Sequence, residues 1–146
     1  MGDQVDLNPV HVYVVDDEKI ITSTLTAILT QNGYPSIGFT NPLEALESAT
    51  AQPPAILITD VIMPGMNGIE LAIEFKARFP HCRILLLSGQ TYTADLLEIA
   101  KERGQDFTII AKPIHPSELL AAISRLTVQS LRTASDDVPS VRNVST

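Results

Sequence analysis

Five times along this chain a short apolar run gives way to a longer stretch with helical spacing, and the order never varies. Val10 to Val15 is a valine-rich run ended by Asp16-Asp17. Ile20, Ile21, Leu25, Ile28 and Leu29 then recur at helical spacing until Asn32-Gly33 stops them. Ser36 to Phe39 predicts a second strand. Asn41-Pro42-Leu43-Glu44 predicts a helix start, with Asn as N-cap and Pro at the first position, running to about Gln52 before Pro53-Pro54. Ala55 to Asp60 predicts a third strand, again ended by an aspartate, and Met63 to Gly68 a loop. Leu71, Ala72, Phe75 and Phe79 mark a third helix ending before Pro80. Arg83 to Ser88 is a strand apolar on both faces, and Thr93 to Arg103 a helix stopped by Gly104. Phe107 to Ala111 is the fifth strand, and Pro116-Ser117-Glu118 opens a last helix through Leu119, Leu120, Ile123 and Leu126. Continuous apolar strands joined by helical crossovers require a parallel sheet covered on both faces. Right-handed crossovers then distribute the helices over the two sides, giving a doubly wound α/β domain.

The 146 residues fit one such domain. A chain of this length buries roughly 70% of its unfolded surface, enough for a core without staples. At 45% hydrophobic and 18% charged, wholesale disorder is excluded. The last twenty residues differ, being rich in Ser, Thr and Val with no sustained apolar period. Leu131 can extend the last helix, and a flexible tail is expected beyond about Ser135. The folded domain is drawn as residues 8–127 and the tail as 128–146.

Seventeen acidic against ten basic side chains leave a net charge of −7, which argues against nucleic-acid or anionic-membrane binding. After Arg125 only Arg132 and Arg142 are basic, too few for a DNA-binding arm. The single cysteine, Cys82, forms no internal disulfide, and no apolar run approaches the about 18 residues of a spanning helix. The N-terminus is acidic and polar, unlike a signal peptide, so a cytoplasmic protein is expected.

In a doubly wound sheet, function gathers beyond the carboxyl ends of the strands. There the first strand delivers Asp16-Asp17-Glu18, the third Asp60, the fourth Ser88-Gly89 and the fifth Lys112-Pro113. An aspartate after a strand often caps the next helix, and each of these alone has that reading. Their joint placement points elsewhere. Two carboxylates ~4 Å apart repel by about 1 kcal/mol in water and ~4 kcal/mol at an effective dielectric near 20. Three in one crevice need a cation or raised pKa values, and Lys112 supplies one charge. An oxygen-only donor set without paired His or Cys favours Mg²⁺ over Zn²⁺. A remaining carboxylate can then act as nucleophile and form an acyl phosphate. His11, His81 and His115 lack ligand spacing, and Met63, Met66 and Cys82 read as packing groups.

Val14-Val15-Asp16-Asp17-Glu18, Asp60-Val61-Ile62-Met63-Pro64 with Gly68, Ser88-Gly89 and Lys112-Pro113 resemble the signature of the receiver domain of two-component response regulators. The resemblance spans about Val10 to Leu126. It implies a flavodoxin-like receiver fold with strand order 2-1-3-4-5. It also implies that Asp60 is the phosphoacceptor for a sensor histidine kinase. Mg²⁺ would be held by the Asp17 and Asp60 carboxylates, by Asp16 mainly through water, and by the main-chain carbonyl of Ile62. Ser88 would hydrogen-bond a phosphoryl oxygen and Lys112 pair with another, across a cis Lys112-Pro113 bond. No catalysis is implied beyond the domain's own phosphorylation and dephosphorylation. Output would be protein contact through the fourth helix, fifth strand and fifth helix, toward an output protein or a second copy.

The sequence departs from the family three residues before the lysine, where receivers commonly carry Tyr or Phe and this chain has Ile109. Phe107 lies two residues earlier, at the far start of the strand, so coupling is expected to run through the Ser88-Gly89 backbone. A phosphorelay shuttle to a histidine phosphotransfer protein is the alternative within signalling. An aspartate-nucleophile phosphatase would place D-x-D on the first strand, where the acids here are adjacent. A flavodoxin-like electron carrier would need a glycine-rich phosphate loop in that place.

Overall fold

The structure is a computed structural model and describes residues 11–89, 93–102 and 107–136. Five strands alternate with five helices: β1 (Val12–Val15), α1 (Lys19–Gln31), β2 (Ser36–Phe39), α2 (Pro42–Ala51), β3 (Ile56–Asp60), α3 (Gly68–Arg78), β4 (Arg83–Ser88), α4 (Thr93–Glu102), β5 (Thr108–Ala111) and α5 (Pro116–Asp136). The strands form one parallel sheet in the order β2-β1-β3-β4-β5, as the resemblance implied.

Side chains along each strand alternate between two apolar layers. Val12, Val14, Ile56, Ile58, Leu85 and Leu87 pack with Leu25 and Leu29 of α1 and Leu119, Ile123 and Leu126 of α5. Tyr13, Val15, Leu57, Ile84 and Leu86 pack on the other face with Leu46 of α2 and Leu71 and Phe75 of α3. This double burial is why the central strands read as unbroken apolar runs. Tyr13 also carries a polar tip: its hydroxyl donates to the Gln52 carbonyl (2.9 Å) and lies 3.0 Å from Ser48 Oγ, tying β1 to α2.

Local signals set the helix ends. Asn41 accepts the Leu43 N–H at 2.8 Å, with Pro42 opening α2. Gly33, at φ +91°, ends α1 in a turn where Tyr34 N–H reaches the Leu29 carbonyl and Gly33 N–H the Thr30 carbonyl. The third helix begins earlier than predicted, at Gly68, because Asn67 and Glu70 form a reciprocal capping box. The last helix runs on to Asp136, since no Gly or Pro interrupts the chain before Pro139. The division expected after Thr127 therefore falls inside one continuous helix. Val10, Arg103, Gly104 and residues 137–146 of the expected tail lie outside the described residues. Among the described residues, no helix is long and apolar enough to cross a membrane.

Among the described glycines Gly68 is the tightest: a Cβ there would meet the backbone carbonyl group of Asp60 and the Cα of Val61. Its N–H also donates to the Val61 carbonyl at 2.7 Å. Gly68→Ala should therefore lower unfolding free energy by about 1–3 kcal/mol, through displaced backbone rather than lost burial. Denaturant unfolding of Gly68→Ala beside Gly89→Ala, which has open space for the methyl, checks this. Gly89→Ala should stay within about 0.5 kcal/mol of wild type.

Candidate functional site

The register of the sheet brings the predicted residues to one edge. Val15 pairs with Thr59, so Asp16 and Asp17 emerge beside Asp60. Asp60 pairs with Leu87, one residue before Ser88. Ser88 pairs with Ala111, and the Lys112 N–H donates to the Ser88 carbonyl at 2.8 Å, which fixes Lys112 at the same edge. The Lys112-Pro113 bond is cis.

Asp16, Asp17 and Asp60 each present a carboxylate oxygen within 4.8 Å of the others. Asp16 and Asp60 are buried, while Asp17 is exposed at the mouth. Lys112 Nζ lies 3.1 Å from Asp60 Oδ1 and 3.8 Å from Asp16 Oδ2, with its side chain 30% exposed. Neither Asp16 nor Asp17 caps α1, whose N-cap is Glu18 without a side-chain bond. Instead Asp16 Oδ1 accepts the Glu18 N–H at 2.9 Å. Asp16 Oδ2 is buried with no hydrogen-bond partner.

That orphaned oxygen records the charge excess. Burial pushes the Asp16 carboxyl up to about 6, and the Asp60 and Asp17 charges push in the same direction. The Glu18 N–H and Lys112 oppose them without restoring the ordinary value. A buried acceptor without a donor, in an all-oxygen cluster of excess negative charge, fits a hard divalent cation.

Ser88 is buried, and its hydroxyl donates to the Gly89 carbonyl at 2.9 Å. Ile62 stands on the loop after β3 with its side chain 59% exposed. Phe107 is buried in the layer shared with α2 and α3, and Ile109 packs half-buried against the same layer. Met63 and Cys82 are buried there too, and burial pushes the Cys82 thiol up to about 12. His81 and His115 are exposed. Two features are invisible in the motifs: the exposed aliphatic side chains of Ile20 (78% exposed) and Leu43 (61% exposed) in the first turns of α1 and α2, and a crevice between the loops after β2 and β3. Only Asn67 and Glu70, three residues apart, announce part of it.

Fold and site together define a class: a parallel α/β domain whose carboxyl edge holds an acidic triad faced by one lysine. The response regulator receiver domain model matches residues 12–124, and the chain belongs to that family. It is 34% identical over 116 residues to chemotaxis protein CheY of Thermotoga maritima, covering 79% of this chain and 95% of CheY. It is 34% identical over 112 residues to the phosphoglycerate transport system transcriptional regulatory protein PgtA of Salmonella typhimurium, covering 77% of this chain and 26% of PgtA. The chain thus spans about a quarter of PgtA and nearly all of CheY. A receiver domain structure from Clostridium thermocellum superposes with a TM-score of 0.77 at 24% identity, over 85% of this chain and 98% of that one.

The raised Asp16 value sets a pH dependence for the metal-free protein. Its proton is held more tightly folded than unfolded, where the ordinary value is near 3.8. Stability in chelator should therefore fall as pH rises from about 4 to about 6, then level off. Asp16→Asn should remove this slope and stabilise the metal-free protein by about 1–3 kcal/mol at pH 7. Urea unfolding across that pH range measures both.

Proposed function

We propose that Asp60 accepts a phosphoryl group from the phosphohistidine of a sensor kinase, in a Mg²⁺-dependent reaction, and that the phosphorylated domain signals by protein contact. The observation that carries this reading is Asp60 itself: a buried carboxylate at a strand end, 3.1 Å from Lys112 Nζ and flanked by two further carboxylates. Asp16, Asp17, Asp60 and the main-chain carbonyl of Ile62 would hold the metal, which supplies positive charge to the phosphoryl oxygens.

A carboxylate oxygen of Asp60 attacks phosphorus, the new O–P bond forms, and the N–P bond to the donor imidazole breaks with its electron pair returning to nitrogen. Lys112 is placed to shift from the Asp60 carboxylate to a phosphoryl oxygen as the carboxylate charge moves onto the phosphoryl group. Ser88 hydrogen-bonds a phosphoryl oxygen once its hydroxyl leaves the Gly89 carbonyl. The Lys112 N–H to Ser88 carbonyl bond links the two strand ends through backbone, which supports coupling by that route, with neither Ile109 nor Phe107 required to swing. Output then leaves through the face of α4, β5 and α5, toward an output protein or a second copy. An apolar groove between α1 and the segment after β5, where Ile21, Leu25, Ile28, Pro113 and Ile114 adjoin Lys112, offers a docking surface to an amphipathic helix that carries the donor histidine. This reading carries a cytoplasmic location, where ATP-fed histidine kinases act.

Intact mass after incubation with acetyl phosphate or phosphoramidate tests it. The wild type should gain one phosphoryl group with Mg²⁺ and none with chelator, and Asp60→Asn should gain none. Labelling of Asp60→Asn at the wild-type level, or labelling indifferent to chelator, contradicts the reading.

A further inference from the structure

Beside the triad lies a crevice that phosphoryl transfer itself does not use. It opens between the loop joining β2 to α2 and the loop joining β3 to α3, and measures about 590 Å³. Leu43, Met63, Pro64 and Met66 form its apolar lining, and Asp17 and Glu70 bring carboxylates to it. Among the described residues, no basic side chain lines it. Leu43 is held out at the first turn of α2 by the Asn41 cap, 61% exposed. Glu70 is held at the first turn of α3, where Oε1 accepts the Asn67 N–H at 3.1 Å.

The lining selects its occupant. A purely apolar side chain would face two carboxylates with no counter-charge, and an acidic one would be repelled. A lysine or arginine satisfies both surfaces, with its methylene stem along the apolar wall and its charged head at a carboxylate. Asp17 belongs to the triad, so Glu70 is the carboxylate left for an incoming cation. Asp17 also makes the crevice continuous with Asp60, because it lines the one and stands within 4.8 Å of the other. A partner helix whose histidine reaches Asp60 carries neighbours three or four positions along, about 5–6 Å from that histidine on the same face. The chain's net charge of −7 draws a basic partner.

We propose that this crevice receives a lysine or arginine side chain of the phosphohistidine-bearing partner, its stem on Leu43 and Met66 and its head at Glu70, and so aligns that partner over Asp60. The proposal rests on Asp60 as acceptor from a protein donor.

The test measures phosphotransfer to the full chain from autophosphorylated histidine kinases of the source genome, beside labelling by phosphoramidate. Glu70→Gln is the principal variant, because glutamine keeps the oxygen that accepts the Asn67 N–H. With the kinase that labels wild type fastest, kcat/KM should fall about tenfold in Glu70→Gln, mainly through KM, and further in Glu70→Lys. Leu43→Ala should also slow transfer, and the salt dependence of Glu70→Gln should be shallower than that of wild type. Phosphoramidate labelling should match wild type in all three variants. Kinase transfer to Glu70→Gln and Leu43→Ala at the wild-type rate overturns the proposal. So does a parallel loss of phosphoramidate labelling, or a wild type labelled by phosphoramidate and by no kinase. A wild type that phosphoramidate cannot label overturns the reading of Asp60 itself.

Discussion

Three carboxylates and one ammonium share the carboxyl edge of this sheet, and the charges do not balance. Each close pair of carboxylates opposes folding by about 1–4 kcal/mol, according to how much water reaches it. The sheet order makes the crowding unavoidable: β1 and β3 are neighbours, Asp16 directly follows β1, and β3 ends in Asp60. What holds the carboxylates together is the pair of apolar layers beneath them, where Val12, Val14, Ile56, Ile58, Leu57 and Leu86 are fully buried. The core thus maintains a local electrostatic strain, expressed in the buried Asp16 Oδ2, which accepts no hydrogen bond and has the Lys112 ammonium only at 3.8 Å. Lys112 relieves part of it from a half-exposed position, where water screens its charge.

The same imbalance gives the site its chemistry. In the proposed reaction a balanced cluster would attract no cation, and its lysine would have no reason to shift to an incoming phosphoryl oxygen. The surroundings are built to keep the geometry fixed. The Val61 N–H donates to the Leu87 carbonyl, Gly68 closes the loop after Asp60, and the Lys112 N–H donates to the Ser88 carbonyl. The backbone carrying Asp60, Ser88 and Lys112 is thereby cross-linked by hydrogen bonds, while Asp17 and Ile62 remain at the accessible mouth.

Much of this was legible in the sequence, for identifiable reasons. Strands buried on both faces write continuous apolar runs, so Leu57 and Leu85 to Leu87 marked themselves. Asn41-Pro42 and Asn32-Gly33 act within a few residues and carried their own meaning. Asp16, Asp17, Asp60, Ser88 and Lys112 are separated along the chain, yet each follows or ends a strand, and the parallel topology alone brings them together. What escaped was set by tertiary context or by the absence of a signal. Gly68 reads as loop, yet the capping box and the close approach to the Asp60 carbonyl make it the first residue of α3. The crevice between the loops after β2 and β3 has no linear motif, since Leu43 and Glu70 come to line it together only in the fold.

Negative charge at the carboxyl edge exceeds what Lys112 offsets, and a divalent cation would answer the excess. Calorimetric titration of Mg²⁺ into wild type, Lys112→Ala and Asp17→Ala tests it most directly. Removing the lysine removes a competitor for the same carboxylates, so Lys112→Ala should bind Mg²⁺ as tightly as wild type or more tightly, and Asp17→Ala should lose binding. A large loss of Mg²⁺ affinity in Lys112→Ala, or undiminished affinity in Asp17→Ala, would contradict the account.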